Sequence, residues 1–567
     1  MILMVTFNND KQDRRLEELH LKEAEELAEI LASKYGLPYL DLSKTSINTD
    51  ALRIIPEDTA RAAHVALFKT KGKELYMLAS SPTSDPVKEI IADLENKNFK
   101  VNLYLGSEAS LKRAWGRYGE IVLSTPTDIG IIQISNDAIA EDLANLKNIE
   151  DVKQAITEQA ELTLKGGGIT GIVEMILAGA LVTEASDIHI EPEEKEIRLR
   201  YRLDGVLEDV LKLDRRVYQP ILSRIKLVSG LKLNVRQSAQ DGRFSIKAEG
   251  TEIEIRTSIL PGAYGESIVL RVLNPKTIRL DFNTLGIEPF LLEIFNREIR
   301  KPNGIILLTG PTGSGKTTTL YAFLRQVNST ESKIITIEDP IEYHLPGINQ
   351  TQVNQKKGYT FLSGLRSALR QDPDIIMVGE IRDGETAKIA INSSLTGHLV
   401  FSTLHTNNSA GTIPRLIDLG INPKILSASL NVSIAQRLVR KLCPVCKQDA
   451  VLKPGETALI KSIAESVIKK RPELLPQSDT VKVYQALGCK ECNNTGYKGR
   501  VGLFEAILMD EAVGTAAINN PSEKEIKIAA LPQKILDLKQ DAILKILRGE
   551  TDLAEVSRIV DLNEEII

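Results

Sequence analysis

Cysteine is scarce in this 567-residue chain, with four residues in all. Aromatic residues make up 4%, with a single tryptophan. So few cysteines exclude a disulfide scaffold. So few aromatics leave no stacking platform for single-stranded nucleic acid. Neither sign of charge dominates: Lys and Arg total 71 against 76 Asp and Glu, a net charge of −5. That balance lacks the basic footprint of a nucleic-acid binder, and no such partner is expected. Long apolar runs are missing too. A bilayer-spanning helix needs about 20 apolar residues. The best candidate, "GIVEMILAGALV" at 171–182, is short and carries Glu174. The first residues, "MILMVTFNNDK", lack the basic start and long apolar core of a secretory signal. These absences predict a cytoplasmic protein whose membrane contact is peripheral.

What is present is ordinary for a globular chain, 42% hydrophobic and 26% charged. The length exceeds one hydrophobic core and predicts three or four domains. Residues 1–150 read as mixed α/β. A helix is expected over Leu21–Tyr35, stopped by Gly36, with β-like runs "LYMLA" and "KVNLYL" and a helical "VKEIIADLE". No catalytic constellation stands out there, so docking or regulation is expected. The run "ELTLKGGGITG", with Gly166–Gly168, marks a linker. A second domain, 151–278, begins with an apolar helix and continues with "KEIRLRYRLDG" and "TEIEIRTSIL", whose period of two puts the arginines on one face. In the third, 279–567, the apolar strands "GIILLTG", "KIITIED", "DIIMVGE" and "HLVFSTL" alternate with helices. That alternation predicts a parallel sheet with helices on both faces.

The four cysteines form two Cys-x-x-Cys pairs, Cys443 with Cys446 and Cys489 with Cys492, inside a 441–500 subdomain. Each pair can grip one side of a tetrahedral Zn²⁺, and together they close the site to catalysis. Four reduced thiols or redox pairs are the plainer alternative.

"GPTGSGKTTTLY" matches G-x-x-x-x-G-K-[ST] at Gly310, Gly315, Lys316 and Thr317. Glycines let such a loop curl so that backbone N–H groups face phosphate oxygens, and the following helix adds its positive end. ATP is expected on Gly310, Pro311, Thr312, Gly313, Ser314, Gly315, Lys316, Thr317 and Thr318. Lys316 reaches the β- and γ-phosphates and the Thr317 hydroxyl holds Mg²⁺. A bare glycine turn is the alternative, but strand "GIILL" before and helical residues after supply the context the motif needs. Glu380 ends "DIIMVGE", where a carboxylate can hold Mg²⁺ or polarise water. A surface acid ending a buried strand would look the same. Glu338, Asp339 and Glu342 cluster in "TIEDPIEYH" at another strand end, where a carboxylate can orient water or simply be solvated. His398 and His405 flank a further β run; one could sense a γ-phosphate, or both could be satisfied core histidines.

Together, "GPTGSGKTTTLY", "TIEDPIEY", "LRQDPDIIMVGEIRD" and "TGHLVFSTLHTN" resemble the type II secretion and type IV pilus assembly ATPases. The likeness extends through "EASDIHIEP", "RLDGVL", "SRIK" and "QDGR" upstream, and "AQRLVRKLCPVC" and "GCKECNNTGYKGRVGLFE" downstream. The resemblance implies a RecA-like P-loop core, a preceding PAS-like α+β domain carrying arginine fingers, and an N-terminal α/β docking domain. It implies Glu342 as catalytic base or water-orienting group, Glu380 as the Walker B acid and His398 and His405 as the histidine motif. It implies Arg256 and Arg271 as arginines that close over the nucleotide, and Arg366, Arg370 and Arg382 as a set near a subunit boundary. Such proteins form hexamers that hydrolyse ATP to drive pilin-like subunits from the inner membrane, turning the second domain against the core. "GGG" and "NPKTIRLDFNTLG" are the hinges this implies. Pilus assembly is the expected task, with secretion through a pseudopilus as the alternative. Residues 20–120 resemble the family's N-terminal domain, which in some members binds cyclic di-GMP through an arginine-leucine-glycine motif in a preceding helical repeat. Only "RRLEEL" precedes the domain here, so docking to an inner-membrane platform protein or a cytoplasmic adaptor is expected. A DNA translocase is disfavoured by the acidic balance. An ATP-binding scaffold without turnover is disfavoured by the joint presence of Lys316, Glu342 and Glu380.

Overall fold

The computed structural model describes residues 10–117, 131–132, 146–165, 169–275, 281–475 and 482–563, apart from 44, 46, 48, 53, 56, 72, 73, 97, 98, 249 and 250. The chain divides into two compact units, Met1–Ile129 and Gly130–Ile567. Among the described residues no helix is long and apolar enough to cross a membrane.

In the first unit a helix spans Asp10–Tyr35, and Gly36 ends it with φ +66°, a conformation that costs glycine nothing. Strands β1 (Val65–Lys71), β2 (Glu74–Ala79) and β3 (Lys100–Leu105) form a sheet in that order. β1 and β2 are antiparallel; β2 and β3 are parallel, so helix Asp85–Asn96 must cross over between them. The lone tryptophan, Trp115, packs into the core with Leu67, Met77 and Leu111, and its Nε1 donates to Val65 O at 2.9 Å.

The second unit contains two seven-stranded sheets. The first comprises β4 (Ile131–Ile132), β5 (Asp187–Pro192), β6 (Glu196–Leu203), β7 (Val206–Asp214), β8 (Gln240–Ala248), β9 (Thr251–Gly262) and β10 (Gly265–Leu273). Their spatial order is β4-β8-β9-β10-β5-β6-β7. Along β6, Ile197, Leu199, Tyr201 and Leu203 are buried while Arg198, Arg200 and Arg202 share the other face, as the period of two requires. Helices Ile149–Leu164 and Ile169–Val182 cover the buried face. The proposed hinge glycines Gly166–Gly168 lie outside the described residues, as do residues 276–280 of the second connector.

The second sheet holds β11 (Gly304–Thr309), β12 (Ile334–Glu338), β13 (Asn349–Gln352), β14 (Ile375–Val378), β15 (Leu399–Leu404), β16 (Leu430–Leu442) and β19 (Tyr497–Leu508), ordered β13-β12-β14-β15-β11-β16-β19. β11, β12, β14 and β15 are buried along their whole length, which is why their sequences are mostly apolar, with Thr309, Thr336, Glu338, Ser402 and Thr403 as buried polar exceptions. Every pairing from β13 to β16 is parallel. The parallel core gains one antiparallel strand at an edge, where β19 runs antiparallel to β16. The chain leaves β16 into the cysteine subdomain and returns directly alongside it, so no crossover helix intervenes. That subdomain adds the short pair β17 (Gln448–Asp449) and β18 (Tyr484–Gln485) and helix Pro454–Lys470.

Candidate active site

Parallel strands bring their C-terminal ends to one edge of a sheet. Here that edge gathers the glycine loop after β11, the acidic loop after β12, Glu380 after β14 and His405 after β15. Thr309 ties two of these ends together, its hydroxyl lying 2.6 Å from that of Thr406.

The glycine loop is built on positive φ angles: +147° at Gly310, +81° at Gly313 and +89° at Gly315. A Cβ on Gly310 would lie 2.6 Å from the Gln436 carbonyl, and one on Gly315 would lie 2.8 Å from Gln436 Nε2. Strand β16 therefore closes the loop from behind, and only glycine fits. The loop ends at helix α1 (Lys316–Val327), with Gly315 at its N-cap. Lys316 Nζ donates to the carbonyls of its own loop, Gly310 O at 2.7 Å and Pro311 O at 3.0 Å. Burial holds this ammonium below the ordinary lysine range, opposed by the Glu380 carboxylate. Among the described residues the buried Ser314 hydroxyl has no hydrogen-bond partner. A curled loop of backbone N–H groups, an idle buried hydroxyl and a lysine bonded only to adjacent carbonyls form a donor set that fits a polyphosphate. Thr317 is exposed in the first turn of the same helix, and Pro311, Thr312 and Gly313 are exposed on the loop. Thr318 is half-buried behind them.

Glu380 is mostly buried, pairs with Arg382 and lies 3.4 Å from His405 Nε2. Thr317 and Glu380 each carry a hard oxygen of the kind that Mg²⁺ takes. In the acidic loop the three carboxylates part company. Glu338 is 2% exposed. It accepts hydrogen bonds from Tyr321 and Thr336, and from Gln350 Nε2 at 3.1 Å. Asp339 is exposed. Glu342 accepts from Arg256 Nη1 at 3.1 Å, while Arg256 Nη2 donates to Ile341 O.

Arg256 and Arg271 are directly opposite on β9 and β10, and Arg243 on β8 is opposite Arg256. Cross-strand partners share a face, so three guanidiniums form one row. Arg271 is held by Asp187 Oδ1 at 3.1 Å. Arg243, inside "QDGR", has no local sequence signal for its place in the row, which the β8–β9 register alone sets. His398 is placed differently from His405. It precedes β15 and so lies at the opposite edge of the sheet, its Nδ1 3.0 Å from Ser393 O. Arg366 and Arg370 are exposed on and just after helix Phe361–Ala368, and Arg370 donates to Ser367 Oγ at 3.0 Å.

Away from this edge the four cysteine sulfurs converge within 4.8 Å of one another. Cys443 and Cys489 are 3.9 Å apart, Cys446 and Cys492 3.8 Å, and Cys489 and Cys492 3.7 Å. A tetrahedron with Zn–S bonds of about 2.3 Å has edges of about 3.8 Å, so the cage fits zinc. The backbone N–H groups of Cys489 and Gly496 donate to Cys492 Sγ, each at 3.2 Å, which stabilises a thiolate.

Comparison with known proteins gives a consistent picture. The family model described as Type II/IV secretion system protein matches residues 164–558, and the MshEN domain model matches residues 35–125. The Type IV pilus assembly ATPase PilB of Myxococcus xanthus (strain DK1622) is 36% identical over 535 residues, 94% of this chain and 91% of that protein. The Type II secretion system protein E of Aeromonas hydrophila is 43% identical over 423 residues, 74% of this chain and 82% of that protein. Among solved structures, the pilus retraction motor PilT with bound ADP is 26% identical, covering 70% of this chain and 97% of that one, at a TM-score of 0.46.

Proposed function

This chain belongs to the type II/IV secretion system protein family, and on that premise we propose that it is a hexameric ATP hydrolase powering type IV pilus assembly from the cytoplasmic face of the inner membrane. The observation that carries the reading is the meeting of Lys316, Glu380 and the Arg256–Glu342 pair at one edge of one sheet. Pilus assembly is favoured because the likeness to a pilus assembly ATPase runs through 94% of the chain, N-terminal region included. The second reading, a type II secretion ATPase driving pseudopilus assembly, is favoured by the higher identity, 43%, over the shorter 74%.

In this reading residues 310–318 bind ATP. Lys316 exchanges its loop carbonyls for the β- and γ-phosphates. Glu342 orients the attacking water. Arg256 and Arg271 swing from their carboxylate partners to the charge that builds on the transferring phosphoryl group. A magnesium ion held by Thr317 and Glu380 would neutralise phosphate charge. His405 steadies Glu380. Arg366, Arg370 and Arg382 face a neighbouring subunit. The two sheets of the second unit move against each other as the Arg256–Glu342 pair opens and closes, which turns hydrolysis into displacement. The zinc cage is structural. The N-terminal unit docks on an inner-membrane platform protein or a cytoplasmic adaptor.

Phosphate release by the purified chain tests this reading. Turnover should vanish in Lys316→Ala and Glu342→Gln; wild-type turnover that survives both changes would refute the assigned roles. Deleting the gene in the source organism separates the two tasks, since loss of surface pili supports assembly and loss of a secreted protein with pili intact supports secretion.

A further inference from the structure

The loop that carries Glu342 hangs on a buried polar knot. Tyr321, fully buried on α1, donates its hydroxyl proton to Glu338. Gln350 on β13 makes the remaining ties. Its Nε2 donates to Glu338 Oε1 at 3.1 Å and to Tyr343 O at 3.1 Å. Its Oε1 accepts from Leu345 N at 2.7 Å. The Tyr321 hydroxyl oxygen lies 3.4 Å from Glu342 N, and the Tyr343 ring stands edge-on to Tyr321 with centroids 4.7 Å apart. The loop is thus fastened at Glu338, at the Glu342 backbone, at Tyr343 and at Leu345, through two side chains that belong to neither the glycine loop nor the acidic loop.

Burying Glu338 is unfavourable on its own; desolvation pushes its carboxyl above the usual range, and bonds from Thr336, Tyr321 and Gln350 oppose the push. An apolar side chain would fill the same space without that cost. A polar knot with every partner present does what an apolar contact cannot: it admits a single loop geometry. Tyr321 also sits on the helix that Lys316 begins, so the phosphate grip and the Glu342 loop share one rigid element.

We propose that Gln350, together with Tyr321, is a positioning residue for hydrolysis, holding the acidic loop so that Glu342 meets the water in line with the γ-phosphate. The inference rests on the reading of Glu342 as the water-orienting group. Neither side chain belongs to the glycine loop that would hold the phosphates, so both should act on the chemical step and leave nucleotide binding alone.

The test uses the full-length oligomer, with steady-state phosphate release, KM for ATP, and the Kd of a fluorescent ATP analogue that also counts competent sites. Gln350→Leu keeps the side chain's size and removes its three loop bonds; Tyr321→Phe removes a single hydroxyl. The expected result is a fall in kcat per competent site of roughly tenfold or more for Gln350→Leu, and a smaller fall for Tyr321→Phe, since misplacement by about 1 Å can cost 10²-fold. KM and the analogue Kd should stay within about twofold, as expected when only transition-state interactions are lost. Unchanged kcat per site in both variants overturns the proposal, as does a loss that appears in Kd instead of kcat. If Gln350→Leu does not fold, Tyr321→Phe decides by the same criteria. Wild-type turnover in a Glu342→Gln control would sink the underlying reading. A dead control beside fully active Gln350→Leu and Tyr321→Phe would sink this inference alone.

Discussion

Arg256 Nη1 donates to Glu342 Oε2 at 3.1 Å, so a strand of one sheet grips the acidic loop of the other. The pair is half-buried, and the same guanidinium also reaches Ile341 O. One planar fork therefore holds both a side chain and the backbone beside it. Arg256→Ala should lower kcat on the order of a hundredfold, the scale measured when one transition-state hydrogen-bond donor is removed. Arg256→Lys should recover little, because a point charge cannot make both contacts. Steady-state kinetics of the two variants beside wild type checks this; an Arg256→Lys enzyme at full rate would mean that the fork is dispensable.

The cysteine subdomain also touches the domain built on the first sheet of the second unit, at the start of helix Ile149–Leu164 and at the β6–β7 turn. Ile149 N donates to Asn493 Oδ1, and Gly499 N donates to Asp204 Oδ2, both at 2.9 Å. Asn493 and Asn494 hold φ of +51° and +63°, a left-handed turn wrapped around the Cys489–Cys492 knuckle. Purified protein should carry about one zinc per chain, the stoichiometry of a four-cysteine site. Stripping it with a chelator, or Cys489→Ser, should lower the thermal midpoint by several degrees because bound metal stabilises only the folded state. Elemental analysis without zinc, and a midpoint indifferent to chelator, would contradict the assignment.

Much of this site could be read from the sequence because four strands are buried on both faces. These strands give way to loops at Gly310, Asp339, Gly379 and His405, which marks the functional edge directly. Less was legible where the signal lies in pairing. Gln350 belongs to a polar edge strand, "NQTQ", with no apolar alternation to announce it. Arg243 joins Arg256 only through a β8–β9 register that local pattern does not give. His398 and His405 share a motif, but the strand between them spans about 20 Å at roughly 3.3 Å per residue, so one motif serves two edges. The antiparallel β19 was hidden by the long excursion that separates it from β16.

Lys226 and Glu266 form a buried ion pair in the first sheet's domain, 2.6 Å apart with side chains 1% and 7% exposed. Lys226 also donates to Val235 O at 2.8 Å. Breaking a buried pair from one side strands a charge, and Lys226→Met should therefore cost about 3–5 kcal/mol. Removing both charges in Lys226→Met with Glu266→Leu should restore most of that stability. Chemical denaturation of the three proteins checks the order; a double variant as weak as the single one would show that the pair itself was strongly stabilising.

Glu505 on β19 supplies a pH prediction. It is buried, and it accepts from Ser409 N at 2.6 Å, from Ser409 Oγ at 2.9 Å and from Leu538 N at 3.2 Å. Burial pushes its carboxyl above the ordinary range; the Ser409 backbone bond opposes the shift and the nearby Asp537 charge adds to it. An acid with a raised folded-state pKa binds its proton more tightly in the folded protein. Between the unfolded value of about 4.3 and the raised one, the folded state therefore holds more protons, and stability falls as pH rises. Glu505→Gln cannot titrate. It also gives up one acceptor oxygen, so it should start less stable than wild type well below the unfolded value of about 4.3, where Glu505 is protonated in both states. Its deficit should then shrink as pH climbs through the raised pKa, because only wild type is losing stability to ionisation. Denaturant midpoints of both proteins across that range measure the difference directly. A deficit that grows with pH would mean that the ionised Glu505, with its three donors, is better off folded than burial alone allows.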